Sequence, residues 1–131
     1  MSEDKIADAL IAHLREFTTD LPIMYPGFSE APAGPYIRAD LFPAPAENAA
    51  LTRWVLHTGT MQLGIFEKQG QFIIEPMAEA ARLAGHYREK TIERDGVTVK
   101  IIRPPSVRGA VYSDGWMQIP VEVRWTCWVR H

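Results

Sequence analysis

The side chains in this sequence that could do chemistry are four histidines, one cysteine, scattered carboxylates and several arginines. No two of the histidines (His13, His57, His86 and His131) lie at the spacing that a metal site needs. We therefore interpret them as partly exposed structural histidines on helix flanks and strands. Cys127 falls on the apolar face of a predicted strand, where cysteine behaves as a small hydrophobe rather than as a nucleophile. The sequence thus predicts no catalytic residue, no metal site and no cofactor.

Two arginines on one proline-containing loop are the candidate for an anion site. Arg103 and Arg108 enclose two prolines, and their guanidinium groups could together bind a small anion. In a chain with a formal net charge of −2, such arginines more often only raise solubility. Glu75 and Glu79 lie four apart on a predicted helix, which more often indicates a solvated face than a paired acid site. A small α+β enzymatic or ligand-binding domain with an anion site at the Arg103–Arg108 loop is the alternative function.

Aromatic residues on the polar faces of two predicted strands are more informative. Trp54 and Trp128 both lie on faces that alternate with charge, and Arg124 and Arg130 share the face of Trp128. Tryptophan and arginine are enriched at the energetically dominant positions of protein interfaces. These four residues therefore predict a contact surface for another protein subunit. The alternative is that a helix of the same chain covers both tryptophans.

Composition and length predict one folded domain over residues 1–131. The chain is 47% hydrophobic and 23% charged, which argues against disorder. Its slightly acidic net charge gives no electrostatic basis for sequence-specific nucleic-acid binding. The N-terminal residues lack the apolar core of a signal peptide, and no run approaches the ~18 apolar residues of a membrane helix. With a single cysteine, these features predict a soluble intracellular domain that does not bind membranes.

The N-terminal residues predict an amphipathic helix that ends near residue 18. Ile6, Leu10, Leu14 and Phe17 fall at spacings of four, four and three, which is one stripe of a helix. Residues 21–35 are rich in proline, which lacks the N–H donor that a strand ladder needs. We therefore expect an ordered surface connection there.

A short strand at Tyr36–Phe42 and a loop at 43–52 precede a long strand at 53–67. Gly59 and Gly64 interrupt the long strand, and glycine within a strand often marks a bulge or a bend. We predict one long bent strand, with a tight hairpin at the first glycine as the alternative.

The second helix is predicted to begin at Glu75-Pro76, because proline costs nothing at the first helical position. The small residues of this helix suggest that it lies close against a sheet. Its apolar face is predicted to consist of Met77, Ala80, Ala81, Ala84 and Tyr87.

A closing strand at Met117–Val129 follows shorter strands at Val97–Ile102 and Val107–Tyr112. Pro120 cannot donate to a ladder and so predicts an edge position or a bulge. The strand would span roughly 43 Å at ~3.3 Å per residue, against a diameter of about 36 Å for a compact chain of this size. It must therefore bend or overhang the subunit. Strict alternation assigns to the core Met117, Ile119, Val121, Val123, Trp125 and Cys127.

The order of the predicted elements is helix, strand, long strand, helix and further strands. This order predicts an α+β fold, with a mostly antiparallel or mixed sheet and two helices packed on one face. No internal repeat or linker divides the chain.

Several local motifs, in this order, are similar to those of a known family. The chain resembles the phage tail terminator or tail completion proteins, which include lambda-like terminators and a small phage-related domain of unknown function. The resemblance spans nearly the whole chain. The stretches that carry it are Met24-Tyr25-Pro26-Gly27, Leu41-Phe42-Pro43-Ala44-Pro45, Thr58-Gly59-Thr60-Met61-Gln62-Leu63-Gly64-Ile65, and residues 115–125 with their Ile119-Pro120-Val121.

The resemblance implies a structural, non-enzymatic protein. Such proteins form a ring, typically hexameric, that caps the tail tube, ends its polymerisation and presents a surface to the head. The implied partners are other copies of the chain, the major tail tube protein and a head-completion or neck protein, with DNA passing through the ring. The implied location is the head–tail junction of a virion made in a bacterial cytoplasm. Another head–tail neck protein is an alternative, and the candidate contact residues are Trp54, Arg103, Arg108, Arg124, Trp128 and Arg130.

Overall fold

The computed structural model describes residues 2–27, 32–48 and 54–130. Parts of the predicted 21–35 and 43–52 loops, residue 53 and His131 lie outside the described residues. The helices are α1, Ser2–Arg15, and α2, Ile74–Tyr87. The described strands are β1 Ile23–Met24, β2 Tyr36–Pro43, β3 Glu47–Asn48, β4 Trp54–Lys68, β5 Thr91–Arg94, β6 Val97–Ile101, β7 Ser106–Val107, β8 Val111–Ser113 and β9 Trp116–Arg130.

The strands form one curled mixed sheet in which β4 and β9 are the central pair. Its main order is β1-β2-β4-β9-β6-β5, while β3 pairs with β4, and β7 and β8 pair with β9. Only the β1–β2 pairing is parallel among the described strands. The predicted α+β class is confirmed, although strands dominate the fold.

β4 and β9 pair along their whole fifteen-residue length without a change of register. Trp54 lies opposite Arg130 at one end, and Lys68 lies opposite Trp116 at the other. The alternative of a tight hairpin within β4 is therefore wrong. The two long strands end together, and the curl of the sheet accommodates their length.

The two glycines of β4 make room for side chains, and the pairing of β4 with β9 continues past both of them without a bulge. A Cβ atom at Gly59 would overlap the ring of Trp125 and lie 2.9 Å from the carbonyl oxygen of Phe42. A Cβ atom at Gly64 would lie 2.5 Å from Nε2 of Gln118. Glycine is required at both positions because the side chains of Trp125 and Gln118 occupy the space that a Cβ atom would fill. Close approach of another group is a common reason for glycine within a strand.

Pro120 lies in the middle of the sheet, so the predicted edge position is wrong. Its carbonyl oxygen accepts the backbone N–H of Arg108 at 2.8 Å, on the side away from β4. A residue in an extended strand points its N–H and C=O to the same side, so the donor that Pro120 lacks would also face this neighbour. The pairings of β7 and β8 with β9 differ by one residue in register. The change of register therefore lies between β7 and β8, opposite Pro120. The ladder is interrupted at this point, so it does not need the N–H donor that Pro120 lacks.

The odd-numbered residues of β4 and β9 form the inner face of the sheet, which packs against the helices. Ile6, Leu10 and Leu14 of the predicted stripe are buried on α1, which ends at Arg15 rather than near residue 18, and Phe17 is buried just beyond it. The six predicted core residues of β9 are also buried. The predicted face of α2 is partly wrong, because Met77 and Ala81 are exposed and Leu83 is fully buried. The hydroxyl of Tyr87 donates to the carbonyl of Leu10 at 2.8 Å and so links the two helices within the core.

Candidate assembly interface

The even-numbered residues of β4 and β9 form the outer face of the sheet. Their side chains are half-buried or exposed, apart from Gly64 and Pro120 near the middle. Most buried residues of α1 and α2 belong to the inner core, together with odd-numbered residues of both strands such as Leu63 and Ile119. Since alternate residues of a strand point to opposite faces, the same two strands supply both surfaces.

The end of the outer face carries three of the residues predicted as contacts. Trp54 lies directly opposite Arg130, and Trp128 lies opposite Leu56, two residues farther along the same face. Trp54 is 43% exposed and Trp128 is 50% exposed. No described helix covers these tryptophans, contrary to the alternative considered from the sequence. The pairing of β4 with β9 therefore brings Trp54, Trp128 and Arg130 together on one face of the sheet.

Two exposed hydrophobic residues on this face were not singled out from the sequence. Phe42 is 55% exposed and lies opposite Thr60, which in turn lies opposite Arg124. Ile102 is 49% exposed and donates its backbone N–H to the carbonyl of Arg124 at 3.2 Å. The alternation of Tyr36–Phe42 contained the signal for Phe42, but the position of Ile102 depends on the pairing of β6 with β9. We define the outer patch as Phe42, Trp54, Ile102, Trp128, Arg124 and Arg130.

An ion-pair cluster borders the outer patch and accounts for two of the predicted arginines. Glu122 accepts a hydrogen bond from Arg108 at 2.8 Å through one carboxylate oxygen and from Arg124 at 3.0 Å through the other. The hydrogen bond from Arg124 is the largest cause that lowers the pKa of the Glu122 carboxyl, with Arg108 contributing as well. Because Glu122 offsets the charge of Arg108, the Arg103–Arg108 loop is a weaker candidate for an anion site than the sequence suggested. Arg103 is exposed in the turn after β6.

Four exposed apolar residues lie near the opposite end of β4 and β9. The backbone N–H of Gln69 donates to the carbonyl of Gly115 at 2.9 Å, which brings the turn before α2 beside the turn between β8 and β9. We define the base cluster as Phe72, Ile74, Met77 and Tyr112, which are 90%, 71%, 43% and 59% exposed. Sequence reasoning assigned Met77 to the core and overlooked the other three. The available signal was the apolar run before the helix.

The histidines have structural surroundings that differ from one another. The rings of His13 and His86 stack at a centroid distance of 4.0 Å, and Nε2 of each forms a hydrogen bond with the other's backbone carbonyl oxygen, at 2.6 and 2.5 Å. Burial is the largest cause that lowers the pKa of His86. His57 is buried, which corrects the expectation of a partly exposed residue. His57 faces inward because it belongs to the odd-numbered side of β4.

The described residues contain no group of three histidine, cysteine or acidic side chains that could hold a metal ion. Cys127 is buried as predicted, and burial raises the pKa of its thiol. Within the described ranges, no helix is long and apolar enough to cross a membrane.

Comparison with known proteins identifies a family over most of the chain. A family model described as phage tail terminator protein matches residues 5–125. One solved structure is similar with a TM-score of 0.78 and 23% sequence identity, covering 97% of this chain and 96% of that chain. At this identity the likeness shows the fold alone. No curated protein matches the chain.

Proposed function

The chain belongs to the phage tail terminator family, and we propose that it closes into a ring on the end of the tail tube. In this role it is a structural component of the virion tail. The ring, a hexamer, stops the tube from growing and offers a surface to the head-completion or neck protein, while DNA passes through its centre. The match to the family model over residues 5–125 is the observation that carries this proposal.

The outer patch supports a protein contact of the kind that a ring needs. Trp128 and Trp54 combine large apolar area with neighbouring guanidinium groups, and such residues contribute most of the binding energy in many interfaces. Phe42 and Ile102 add two more exposed apolar side chains on the same face. We therefore assign the outer patch to a contact with the neighbouring subunit.

The base cluster supports a second, different contact surface. It lies at the far end of the long strands from Trp54 and contains neither tryptophan nor arginine. A closed ring of identical subunits requires two unlike surfaces on each copy, because its contacts run head to tail. Pairing of the outer patch of one copy with the base cluster of the next would satisfy that requirement.

The test is assembly in solution and on purified tail tubes. Negative-stain electron microscopy of concentrated protein, alone and with tubes, should show rings and capped tube ends. Trp128→Ala should reduce both, because it removes the largest exposed side chain at the end of β9. Arg88→Ala, an exposed change just after α2, is the matched control and should leave both unchanged.

Two results would contradict the proposal. A protein that stays monomeric at high concentration and never binds tube ends is not a terminator. A protein that binds the isolated head connector but not the tube belongs to the neck instead. Trp128→Ala must also stay folded by circular dichroism, since loss of folding would place Trp128 in the core.

A further inference from the structure

The helix α2 is apolar on two opposite sides, and the described residues cover only one of them. Its inner side, which includes Ala80, Leu83 and Tyr87, is buried in the core. Its outer side carries exposed apolar residues at helical spacing. A helix that is apolar all round is normally buried all round. Another molecule is therefore expected to cover this outer side, and we define the α2 stripe as Ile74, Met77, Ala78 and Ala81.

The outer face of the sheet lacks a cover of the kind that the inner face has. Both described helices pack against the inner face. In layered folds an apolar sheet face is normally covered by a helix or by a second sheet. A helix lying over the outer patch would cover Trp54 and Trp128 in the same way that α1 and α2 cover the core.

The α2 stripe has the right size to cover the outer patch. From Ile74 to Ala81 it runs about 10 Å along the helix, which fits within the roughly 20 Å from Arg124 to Arg130 along β9. A helix with its side chains is about 10 Å wide, which is enough to cover two neighbouring strands such as β4 and β9. Because α2 packs on the inner face of its own sheet, its stripe cannot reach the outer patch of the same copy.

The charged groups beside the two surfaces have opposite signs. Lys100 of β6 and Arg130 of β9 lie on the outer face, and neither takes part in an ion pair among the described residues. Glu75 is exposed in the first turn of α2 and is likewise in no described ion pair, whereas Arg82 on that helix is paired with Glu79. Opposite charges across an interface favour that pairing and disfavour others.

We propose that the α2 stripe of one copy lies over the outer patch of the next copy, with Glu75 beside Lys100 and Arg130. This inference rests on the proposed ring and names the segment that covers the outer patch. The contact joins two unlike surfaces, as a closed head-to-tail ring requires. Each sheet then lies between its own helices and the α2 of a neighbour.

The experiment mixes two variants, each defective in one of the two surfaces. Trp128→Ala removes the largest side chain of the outer patch, and Met77→Glu places a charge in the α2 stripe. Each variant alone should sediment as a monomer in analytical ultracentrifugation. An equimolar mixture should double in mass and stop there, because one intact outer patch and one intact stripe allow a single contact.

Controls separate this contact from other effects of the substitutions. Ala81→Glu is a second stripe variant and should also dimerise with Trp128→Ala, so the result does not depend on one substitution. A mixture of Met77→Glu with Ala81→Glu should stay monomeric, because both lack the stripe. Circular dichroism should show that every variant is folded.

A change of charge tests the orientation of the contact. Glu75→Lys, introduced into Trp128→Ala, should raise the dissociation constant of the heterodimer about tenfold, because an attraction becomes a repulsion of similar size. Asp4→Lys is the matched control, since it makes the same charge change at an exposed position in the first turn of α1. It should leave the dissociation constant unchanged.

The pairing is overturned if the mixture of Trp128→Ala and Met77→Glu stays monomeric at a concentration at which the unchanged protein assembles. It is also overturned if Met77→Glu assembles normally, or if Trp128→Ala dimerises alone through two stripes. An unchanged protein that is monomeric in solution overturns the pairing as well, while capped tube ends would still support the proposed function.

Discussion

The inner and outer faces of the β4–β9 pair come from the same two strands but have opposite surroundings. On the inner face the chain covers itself, and residues such as Leu63 and Ile119 are fully buried. On the outer face Trp128 and Phe42 are half exposed beside arginines. Strict alternation thus lets one strand contribute to folding and to assembly with different residues. The comparison implies that changes on one face should affect stability, and changes on the other should affect association.

Leu63→Ala should have the largest effect on stability, because it leaves a cavity in the inner core. We expect a loss of roughly 2–5 kcal/mol in the free energy of unfolding, measured by urea denaturation. Gln62→Ala, the adjacent residue on the outer face, is the control and should change the free energy by no more than about 0.5 kcal/mol. Equal losses in the two variants would contradict the division between the faces.

Gly59→Ala should be the next most destabilising change, since its new methyl group would overlap the Trp125 ring. We expect a loss of about 1–3 kcal/mol, the usual cost of overpacking a core. Gly85→Ala in α2 meets no neighbouring atom within 4 Å and should stabilise by up to about 1 kcal/mol. If both substitutions stabilise the protein, the ring of Trp125 does not pack tightly on β4.

Acid should weaken the helix–helix contact before it weakens the outer ion pairs. Burial lowers the pKa of His86 below 6.5, so the unfolded chain takes up a proton that the folded chain does not. Stability contributed by neutral His86 is therefore complete above pH 6.5 and is lost as the pH falls below it. The lowered pKa of Glu122 acts only below pH 4.5.

Urea denaturation at pH 7.5 and 5.5 should show a loss of stability in acid that is smaller in His86→Gln than in the unchanged protein. Glu122→Gln should keep the full loss between these two pH values, because Glu122 stays ionised at both. If the free energy of unfolding depends on pH in the same way in His86→Gln and in the unchanged protein, the folded state does not keep the proton off His86.

Trp128→Ala should have only a small effect on monomer stability, within about 1 kcal/mol, because half of the residue is already exposed to water. The same variant should no longer assemble. A large loss of assembly with a small loss of stability is the result expected for an outer-face residue and not for a core residue. Thermal unfolding of the isolated monomer measures the first effect, and analytical ultracentrifugation over a concentration series measures the second. A loss of several kcal/mol would place Trp128 with the inner face.

Periodicity predicted which residues share a face, but it did not predict which element covers that face. The alternation in β9 and the stripe of α1 were enough to identify their buried residues. In α2, Met77 and Leu83 are both apolar, and only the packing against β4 and β9 determines that Leu83 is inside. The sequence did not predict that Pro120 lies inside the sheet, because this depends on the pairing of β7 and β8 with β9. Those two strands come earlier in the chain, and their ladder with β9 is interrupted opposite Pro120.

The sequence suggested some residues of the candidate interface and missed others, because alternation within a strand can be read locally and the packing of distant segments cannot. Trp54, Trp128 and Arg130 come together because two alternating strands pair, and their own residue types suggested a contact. Phe72 lies in the turn before α2, so no strand or helix periodicity in the sequence could indicate which way it faces.

The unbroken β4–β9 ladder has a consequence for how the chain folds as it is made. α2 and four short strands separate the two partners along the chain. β2 and β4 can pair early, but β4 keeps an open edge until residues 116–130 leave the ribosome. Pairings between distant segments form slowly, and an open edge in the meantime favours aggregation. The newly made chain therefore depends on β9 to cover the open edge of β4 and so to avoid aggregation.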